Sequence, residues 1–347
     1  MFLSGLGRVQ KSWEFFANSV SAIHHPSHNS SSLKSDKRWL KTRCSMTNQN
    51  NPPLPRFHRK ELVLGEQLEY GSEQTKFYAI SGVHLRHRQP ENEHPMRNEV
   101  AMNPHMYAAM LVSDETMDQA NILANVSHTH IASVRGFYTT SSYTLLVVDR
   151  MMCTLADCLE NWASRKRPPP LLERLYVAHH ISAALAYLHD QNVVFGELHP
   201  ENIGFDTQGH LKLFDFNTAR KVNRYEKKDS TTSTMSSSCD SFSVNSDYAA
   251  PEVKKGRPAN CASDVFGFTM VLWELLMLMP GSSEESLEYV HMIQESSWPL
   301  WAQDIVSNGL CPNEKERTNM RAIQLCLRKV LKQEEQKERY RKKSILQ

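Results

Sequence analysis

The feature that most constrains the fold of this chain is a change in hydrophobic periodicity near Met151. Before it, from about Leu62, apolar runs of strand length alternate with polar loops. After it, apolar residues recur mainly at helical spacing. A β-rich stretch followed by a helical one is typical of an α+β fold, in which the two kinds of element segregate. We therefore expect a small β-rich lobe and a larger helical lobe.

The β-rich stretch is predicted to hold four strands and one helix. The helix is expected over Tyr107 to Val126, where the apolar residues have helical spacing. Because Arg86 to Asn98 is charged and contains two prolines, it is predicted to be a loop. The strand-like runs are Leu62 to Leu68, Lys76 to Leu85, Ile131 to Tyr138 and Tyr143 to Val148.

The second stretch is predicted to be mainly helical. Apolar residues line one face of Leu171 to His189, and Val265 to Met279 is apolar enough for a buried helix. The latter run carries Glu274, and it is shorter than the ~20 residues that a membrane span needs. Short strand-like runs are Asn192 to Phe195, Ile203 to Phe205 and Leu211 to Phe214, and Lys329 to Lys343 is a charged, helix-compatible tail.

Two segments have the composition of unstructured chain. Residues 1–60 hold Ser-rich and Asn-rich runs and then Pro52, Pro53 and Pro55, which indicates a disordered arm. Few acidic residues precede Ser35, so this arm weakly resembles an organelle transit peptide, although a plain extension is the favoured alternative. Lys227 to Asp247 is rich in Ser and Thr and is predicted to be a loop.

Charge and cysteine content exclude several classes of protein. The 40 basic and 38 acidic residues give a net charge of +2, without the basic excess of a typical nucleic-acid binder. The seven cysteines are odd in number and form no C-x-x-C pair, which argues against a disulfide framework or a zinc site. We therefore expect an intracellular, cytoplasmic protein with protein partners, no nucleic acid and no membrane span.

Five short motifs follow one another in the second half of the chain. Each is too short to be specific by itself, but their order and spacing together are specific. The motifs are Leu198-His199-Pro200-Glu201-Asn202, Asp215-Phe216-Asn217, Ala250-Pro251-Glu252, Ser263-Asp264-Val265-Phe266 and Leu272-Trp273-Glu274.

This series resembles the eukaryotic protein kinase family, from about Leu62 to Val330. The resemblance implies an α+β, bilobal protein kinase-like fold over residues 61–330, with a small β-rich N-lobe over 61–149 and a larger helical C-lobe over 150–330. The arm over 1–60 and a charged helical tail over 331–347 would flank it. It also implies a signalling role with ATP and Mg²⁺ as cofactors.

The resemblance places neutral residues where the family has an ion pair. Val100 to Asn103 matches the third-strand V-A-I-K motif, so Asn103 stands at the place of the phosphate-binding lysine. Gln119 stands at the place of the helix Glu that pairs with this lysine, and neither residue brings charge to ATP. Other residues matched to the nucleotide site are Gly71, Lys76, Ala101, Val148 (the gatekeeper), Asp149 and Met151 (the hinge), and Gly204.

The glycine-rich loop of the family is degraded in this chain. Only Gly71 remains of G-x-G-x-x-G, whose glycines let backbone N–H groups approach phosphate. Lys76 stands where the second strand usually has Val, and Gly204 where the pocket floor usually has Leu. Lys76 could replace the missing lysine, but a solvent-facing strand Lys is the favoured alternative.

The catalytic loop keeps part of the family pattern. Glu197 stands at the catalytic-base position, which is normally Asp, and His199 stands at the place of the following Lys. Asn202 and Asp215 retain the two metal-binding positions, while Gly196 replaces an Arg that commonly binds a phosphorylated activation loop. The base and the metal ligands are therefore present in type, but the positive charges are missing.

The residues of the family scaffold are better kept. Asp264 is expected to accept hydrogen bonds from the catalytic-loop backbone, and Glu252 and Arg317 to form a buried ion pair. A column of apolar residues that is typical of the family would consist of Leu123, Val134, Phe195 and Phe216.

These substitutions predict a pseudokinase that acts as a signalling scaffold or regulator. Losing one preorganised charged donor costs roughly 3 kcal/mol, or about 10²–10³ in rate, and several donors have changed here. The same losses count against ATP and Mg²⁺ as bound cofactors. The alternative is an atypical active protein kinase, which would transfer phosphate from ATP to Ser/Thr or Tyr with Glu197, Asn202 and Asp215.

Overall fold

The computed structural model describes residues 54–57, 61–71, 75–83, 103–113, 115–165, 168–222, 247–279 and 285–345. These residues form ten strands and eight α-helices. The chain divides into two compact units. The first contains the described residues up to Met117 together with Ser133–Met152 and Phe205–His210; the second contains Asp118–Ala132, Cys153–Gly204 and the chain from Leu211 onward.

The first unit is built on a five-stranded sheet in the order β1-β2-β3-β5-β4, in which all neighbouring strands are antiparallel. All six residues of β5 are buried, whereas most of β1 is exposed. This difference follows from position, because a central strand is covered on both faces and an edge strand is not. The strands are β1 (Leu62–Gln67), β2 (Phe77–Val83), β3 (Tyr107–Val112), β4 (Val134–Thr139) and β5 (Thr144–Asp149).

Residues 54–57 extend this sheet. Phe57 N donates to Phe137 O at 2.8 Å, and Phe137 N donates to Pro55 O at 3.0 Å. The Phe57 ring packs over Gly136, where an added Cβ would lie 2.4 Å from it. The interpretation of residues 1–60 as a disordered arm is therefore wrong for this last part, because its backbone pairs with β4. Residues 1–53 lie outside the described residues, as do Ala101 and 227–246 of the Ser/Thr-rich segment.

The single helix expected over Tyr107 to Val126 is wrong in its first half. Tyr107–Val112 is β3, which pairs with β2 on one side and with β5 on the other, and helix α1 spans only Met117–Asn125. An uninterrupted apolar run fits a buried strand as well as a buried helix, so its spacing does not distinguish them. The two neighbouring strands decide the outcome, since a central position in a sheet outweighs local propensity.

The remaining elements follow in the order of the chain. Helix α5 is buried along nearly its whole length, as expected of an apolar central helix. The elements are β6 (Met151–Thr154), α2 (Leu155–Ala163), α3 (Leu171–Asp190), β7 (Val193–Val194), β8 (Ile203–Asp206), β9 (Leu211–Leu213), β10 (Arg220–Lys221), α4 (Pro251–Lys254), α5 (Cys261–Met277), α6 (Ser286–Glu295), α7 (Leu300–Gly309) and α8 (Met320–Ile345).

Capping and stacking fix α5 in the second unit. The Asn260 side chain accepts hydrogen bonds from the N–H groups of Ala262 and Ser263 at its start. The Trp273 ring stacks on Tyr289 of α6 with a centroid separation of 4.4 Å. No helix among the described residues combines the length and apolar character that crossing a bilayer would require.

The charged tail expected over 331–347 is not a separate element. Helix α8 continues through residue 330 to Ile345, and Leu327, Val330 and Leu331 are buried. Farther along the same helix, the Tyr176 hydroxyl of α3 donates a hydrogen bond to Glu335. The first part of the tail therefore packs on α3 as part of one continuous helix.

Candidate functional site

The catalytic-loop segment is held by Asp264, at the start of α5. One carboxylate oxygen accepts from Phe195 N at 2.9 Å and contacts His189 Nε2 at 2.8 Å, while the other accepts from Gly196 N at 2.8 Å. Asp264 is only 1% exposed, so these bonds compensate the burial of its charge. The prediction that Asp264 accepts hydrogen bonds from the loop backbone is confirmed.

The side chain of Asn202 closes the same loop. Its amide nitrogen donates to Glu197 O at 3.0 Å and to His199 Nε2 at 2.9 Å. Since both bonds use the nitrogen, the amide oxygen is the atom of Asn202 that could bind a metal ion. The structure thus brings Glu197, His199 and Asn202 together within one short loop.

His199, which replaces a lysine of the family, is a neutral residue in this loop. Burial lowers the pKa of His199 to about 4, so the ring is uncharged at neutral pH. Because Nε2 accepts from Asn202, the proton lies on Nδ1, a buried atom with no hydrogen-bond partner in the described part of the chain. Carboxylate oxygens of Glu197 and Glu201 lie 4.0 and 3.8 Å from the ring nitrogens. Two carboxylates therefore lie beside this neutral ring.

Asp215 occupies a constrained backbone conformation. Its φ is +52°, a region that Asp tolerates better than most residues, and the residue is 4% exposed. The next residue, Phe216, packs edge-to-face on Phe195 with ring centroids 5.2 Å apart. The Phe195–Phe216 part of the expected apolar column is therefore confirmed. Gly204, the residue matched to the pocket floor, is buried in β8 of the same unit.

Gly196 has a structural reason for replacing Arg. Its φ is +92°, and an added Cβ would lie 2.7 Å from Thr218 O. Thr218 in turn donates its hydroxyl hydrogen bond to Phe195 O at 3.1 Å. A side chain at position 196 would therefore collide with the segment that follows Asp215. The sequence contained a signal for this, because a glycine stands where the family has a long side chain.

The expected buried ion pair is present. Arg317 donates to both carboxylate oxygens of Glu252, at 2.7 and 2.8 Å, and both side chains are fully buried at the pair. Ser263 also donates to Glu252 at 2.7 Å. Burial would raise the pKa of Glu252, but the hydrogen bonds from Arg317 and Ser263 outweigh it and lower the pKa. The prediction of this pair is confirmed.

Asn103 does not lie on the third strand. It caps a short 3₁₀ turn at Pro104–Met106, where its side chain accepts from His105 N at 3.1 Å. The strand between β2 and β5 is Tyr107–Val112, whose sequence Y-A-A-M-L-V contains no basic residue. The prediction that Asn103 stands on the third strand is therefore wrong, because the strand starts four residues later. The absence of a lysine from that strand does not depend on this register.

Lys76 is exposed and lies just before β2. Its carbonyl oxygen accepts from Leu111 N at 2.9 Å, so its backbone is held against β3. It is the single lysine in the described part of the first unit. The exposure agrees with the favoured alternative of a solvent-facing lysine.

In the second unit, Gln119 lies on α1, and its buried Oε1 has no hydrogen-bond partner among the described residues.

The predicted hinge follows β5 in the first unit. Val148 pairs with Ala108 of β3 and with Val134 of β4. The Asp149 carboxylate accepts from the Arg135 guanidinium at 3.1 and 3.2 Å and from Ser133 N at 3.0 Å. The structure therefore gives the Asp149 side chain a positioning role at the start of β4.

Tyr70 is a site residue that the sequence did not reveal. Its hydroxyl oxygen accepts a hydrogen bond from Met151 N at 3.3 Å, which occupies a backbone donor of the predicted hinge. The Tyr70 ring packs on Phe77 with centroids 5.1 Å apart, and burial raises the pKa of Tyr70 to about 12. Gly71, with φ of +101°, turns the chain so closely that an added Cβ would lie 2.8 Å from the Phe77 ring.

Comparison with known proteins agrees with this geometry. Residues 71–347 match a family model described as the protein kinase domain. The cAMP-dependent protein kinase catalytic subunit of Schizosaccharomyces pombe is 29% identical over 178 residues, which make up 50% of this chain and 31% of that protein. Human serine/threonine-protein kinase Sgk2 is 28% identical over 215 residues, 59% of this chain and 54% of that protein.

A further human relative, serine/threonine-protein kinase Sgk1, is 32% identical over 168 residues, 47% of this chain and 35% of that protein. The chain therefore spans between about a third and about a half of the length of these curated relatives.

Proposed function

This chain belongs to the protein kinase family, and we propose that it is a pseudokinase, which acts as a signalling scaffold or regulator with little or no phosphotransfer. The observation that carries this proposal is the composition of β3. None of its six residues is basic, and four of them are buried. Phosphoryl transfer relies on positioned positive charge because the protein does little covalent work. A third strand without a lysine therefore lacks the charge that holds the phosphates.

The hinge gives independent support. An adenine ring would need backbone donors and acceptors at the hinge, and the N–H of Met151 already donates to Tyr70. A nucleotide that used this donor would have to break the bond to Tyr70, whose ring is also held by packing on Phe77. The residues of this unit therefore fit a nucleotide poorly.

The catalytic loop points in the same direction. The family resemblance places a lysine where His199 stands, and His199 is neutral because burial lowers its pKa to about 4. Asn202 and Asp215 supply oxygen atoms of the kind that Mg²⁺ prefers, and carboxylates of Glu197 and Glu201 lie near His199. Because β3 has no lysine, these two possible metal ligands would support at most weak binding of a metal–nucleotide complex.

An atypical active kinase is the second candidate, and one observation favours it. The catalytic loop is not collapsed: Asp264 holds its backbone and Asn202 bonds to the carbonyl of Glu197. Such a loop could still orient a hydroxyl group toward Glu197. The two human relatives named above are serine/threonine kinases by name, so a Ser/Thr acceptor is the form of this candidate to test.

Two measurements separate the candidates. The melting temperature of the full chain is measured with and without millimolar ATP, each with Mg²⁺, Mn²⁺ or no metal, because a ligand of the native state must raise it. Transfer of radiolabelled phosphate to the chain itself and to a generic protein substrate is measured in parallel. We expect no thermal shift and no transfer. Transfer that Asp215→Ala abolishes would establish the active kinase instead.

Tyr70→Ala tests the role of the hinge contact. This change frees the N–H of Met151, whereas Tyr143→Ala removes an exposed tyrosine of the same unit and serves as the matched control. If Tyr70 is the main barrier, ATP will raise the melting temperature of Tyr70→Ala but not of the control. If charge is also missing, neither variant will respond. If ATP raises the melting temperature of the unmodified chain, neither the Tyr70 contact nor the missing charge prevents nucleotide binding.

A further inference from the structure

Two cysteines flank the turn through which the chain passes from β6 into α2. Cys153 precedes the N-cap residue Thr154, and Cys158 is the fourth residue of the helix. Thr154 and Asp157 form a capping box, in which Asp157 N donates to Thr154 Oγ1 at 3.2 Å and Thr154 N donates to Asp157 Oδ2 at 2.7 Å. The residues just outside such a box usually pack together as a hydrophobic staple. In this chain both staple positions are thiols.

The capping box brings the two sulfur atoms into contact. The Sγ atoms of Cys153 and Cys158 are 3.8 Å apart. A disulfide requires a separation of about 2.05 Å, so the sulfurs would have to approach by roughly 1.8 Å. Because the box fixes the backbone on both sides of the turn, this movement falls to the side chains.

The two thiols differ in environment. Cys153 is partly exposed, whereas Cys158 is 2% exposed. The hydrogen bond to Cys153 and burial both raise the pKa of Cys158, so Cys158 stays protonated. A small oxidant from solvent therefore meets Cys153 first, and Cys158 lies where it can react with the product.

We propose that Cys153 and Cys158 form a reversible thiol–disulfide site whose oxidant is a hydroperoxide. With hydrogen peroxide, the Cys153 sulfur attacks the peroxide, the O–O bond breaks, and one water leaves while Cys153 becomes a sulfenic acid. The Cys158 sulfur then attacks the Cys153 sulfur and the S–O bond breaks. The hydroxide takes the proton of Cys158 and leaves as a second water. Two thiols are oxidised, and one hydrogen peroxide is reduced to two waters.

The disulfide would restrain the turn between β6 and α2. It would lock Cys153 of β6 to the first turns of α2, so the capping box could no longer fray. The strand β6 begins at Met151, whose N–H is bonded to Tyr70, so the oxidised turn would lie two residues from the hinge contact. A thiol reductant would restore the present arrangement.

The experiment uses the full chain treated with hydrogen peroxide and then with an alkylating reagent. Intact mass and peptide mapping identify which cysteines are protected, and dithiothreitol tests reversal. We expect a Cys153–Cys158 link, a mass lower by about 2 Da before alkylation, and complete reversal. Cys158→Ser should leave a Cys153 sulfenic acid that dimedone traps, and Cys326→Ser, a change on α8, should still form the link.

Three results would overturn the proposal. They are unchanged thiols at Cys153 and Cys158, links from either residue to another cysteine, and conversion of Cys153 to sulfinic acid while Cys158 remains free. If Cys158→Ser does not fold, the proposal is still tested by whether the Cys153–Cys158 disulfide forms and is reversed in the unmodified chain and in Cys326→Ser. The readout is independent of phosphotransfer, so its failure leaves the proposed function untouched.

Discussion

The two compact units differ in how much of a kinase each has kept. In the second unit, Asp264 holds the catalytic loop and the pair Glu252–Arg317 is intact. In the first unit, β3 has no basic residue and Tyr70 occupies a donor of the predicted hinge. On the proposed function, the second unit keeps its scaffold contacts, and the first unit lacks the charge that would bind phosphate.

This difference indicates which residues the fold itself requires. A buried ion pair or a carboxylate that holds a loop is costly to lose, because its partners would remain buried and unpaired. A lysine that binds phosphates contributes to ligand binding, so its loss leaves the folded chain intact. A kinase fold can therefore lose phosphate-binding charge and remain folded.

The largest expected effect tests the scaffold of the second unit. Arg317→Met leaves the Glu252 carboxylate buried without its cation, so the free energy of unfolding should fall by about 3–5 kcal/mol. Urea denaturation monitored by circular dichroism measures it. Replacing both residues, with Glu252→Leu and Arg317→Met, should cost less than the single change because no buried charge is left alone.

An exposed ion pair supplies the control for that prediction. The Nη1 atom of Arg257 lies 3.1 Å from Oε1 of Glu314, and the Arg257 side chain is 55% exposed. Arg257→Met should therefore change the free energy of unfolding by no more than about 1 kcal/mol. Equal losses for Arg317→Met and Arg257→Met would show that the buried pair is not part of the scaffold.

The second prediction concerns the pH dependence of stability. Burial lowers the pKa of His199 to about 4, whereas the unfolded chain has the ordinary value near 6.5. As the pH falls, the unfolded chain therefore binds a proton at His199 before the folded chain does. The contribution of His199 to the free energy of unfolding is fully present above about pH 6.5 and is lost as the pH falls toward 4. The loss should be roughly 3 kcal/mol at pH 4.

His199→Gln keeps a side chain that can accept from Asn202 but removes the titration. Its free energy of unfolding, measured by urea denaturation from pH 7 to 4, should fall less steeply than that of the unmodified chain. Some slope should remain, because burial also lowers the pKa values of His128, His130 and His179. Identical slopes would mean that the pKa of His199 is the same in the folded and unfolded states.

The third prediction concerns the glycine that replaces the family Arg. Gly196→Ala combines a positive φ with a contact of 2.7 Å to Thr218 O, so it should cost about 2–3 kcal/mol. Gly256 has a φ of +77° but no atom within 4 Å of an added Cβ, so Gly256→Ala should cost only about 1 kcal/mol. A larger loss for Gly256→Ala would remove the steric explanation for Gly196.

The second unit could be predicted in more detail than the first, for a physical reason. Its motifs are contiguous, so the family resemblance that they carry predicted the roles of Asp264, Glu252 and Arg317. The identity of β3 depends instead on pairing with β2 and β5, which are distant in sequence. An apolar run such as Y-A-A-M-L-V carries no local sign of that pairing.

Tyr70 shows a second limit of the sequence. A tyrosine beside a degraded glycine loop has no motif of its own, and its partner is the backbone N–H of Met151, 81 residues away. The fold determines which backbone carbonyl or N–H a side chain contacts, so the identity of the residue alone does not predict it. The degraded glycine loop was the available signal; it predicted weak phosphate binding but did not reveal the contact of Tyr70 with Met151.

The smallest expected effect separates the two assignments of the lysine position. Asn103 lies in an exposed turn before β3 and its side chain caps that turn, so Asn103→Lys should change the free energy of unfolding by no more than about 1 kcal/mol. It should also leave the melting temperature insensitive to ATP with Mg²⁺, because the added charge does not stand on the strand. Met110→Lys is the contrasting change, since Met110 is 6% exposed on β3 and an ammonium group there should cost several kcal/mol. If ATP raises the melting temperature of Asn103→Lys, residue 103 and not β3 corresponds to the phosphate-binding lysine of the family.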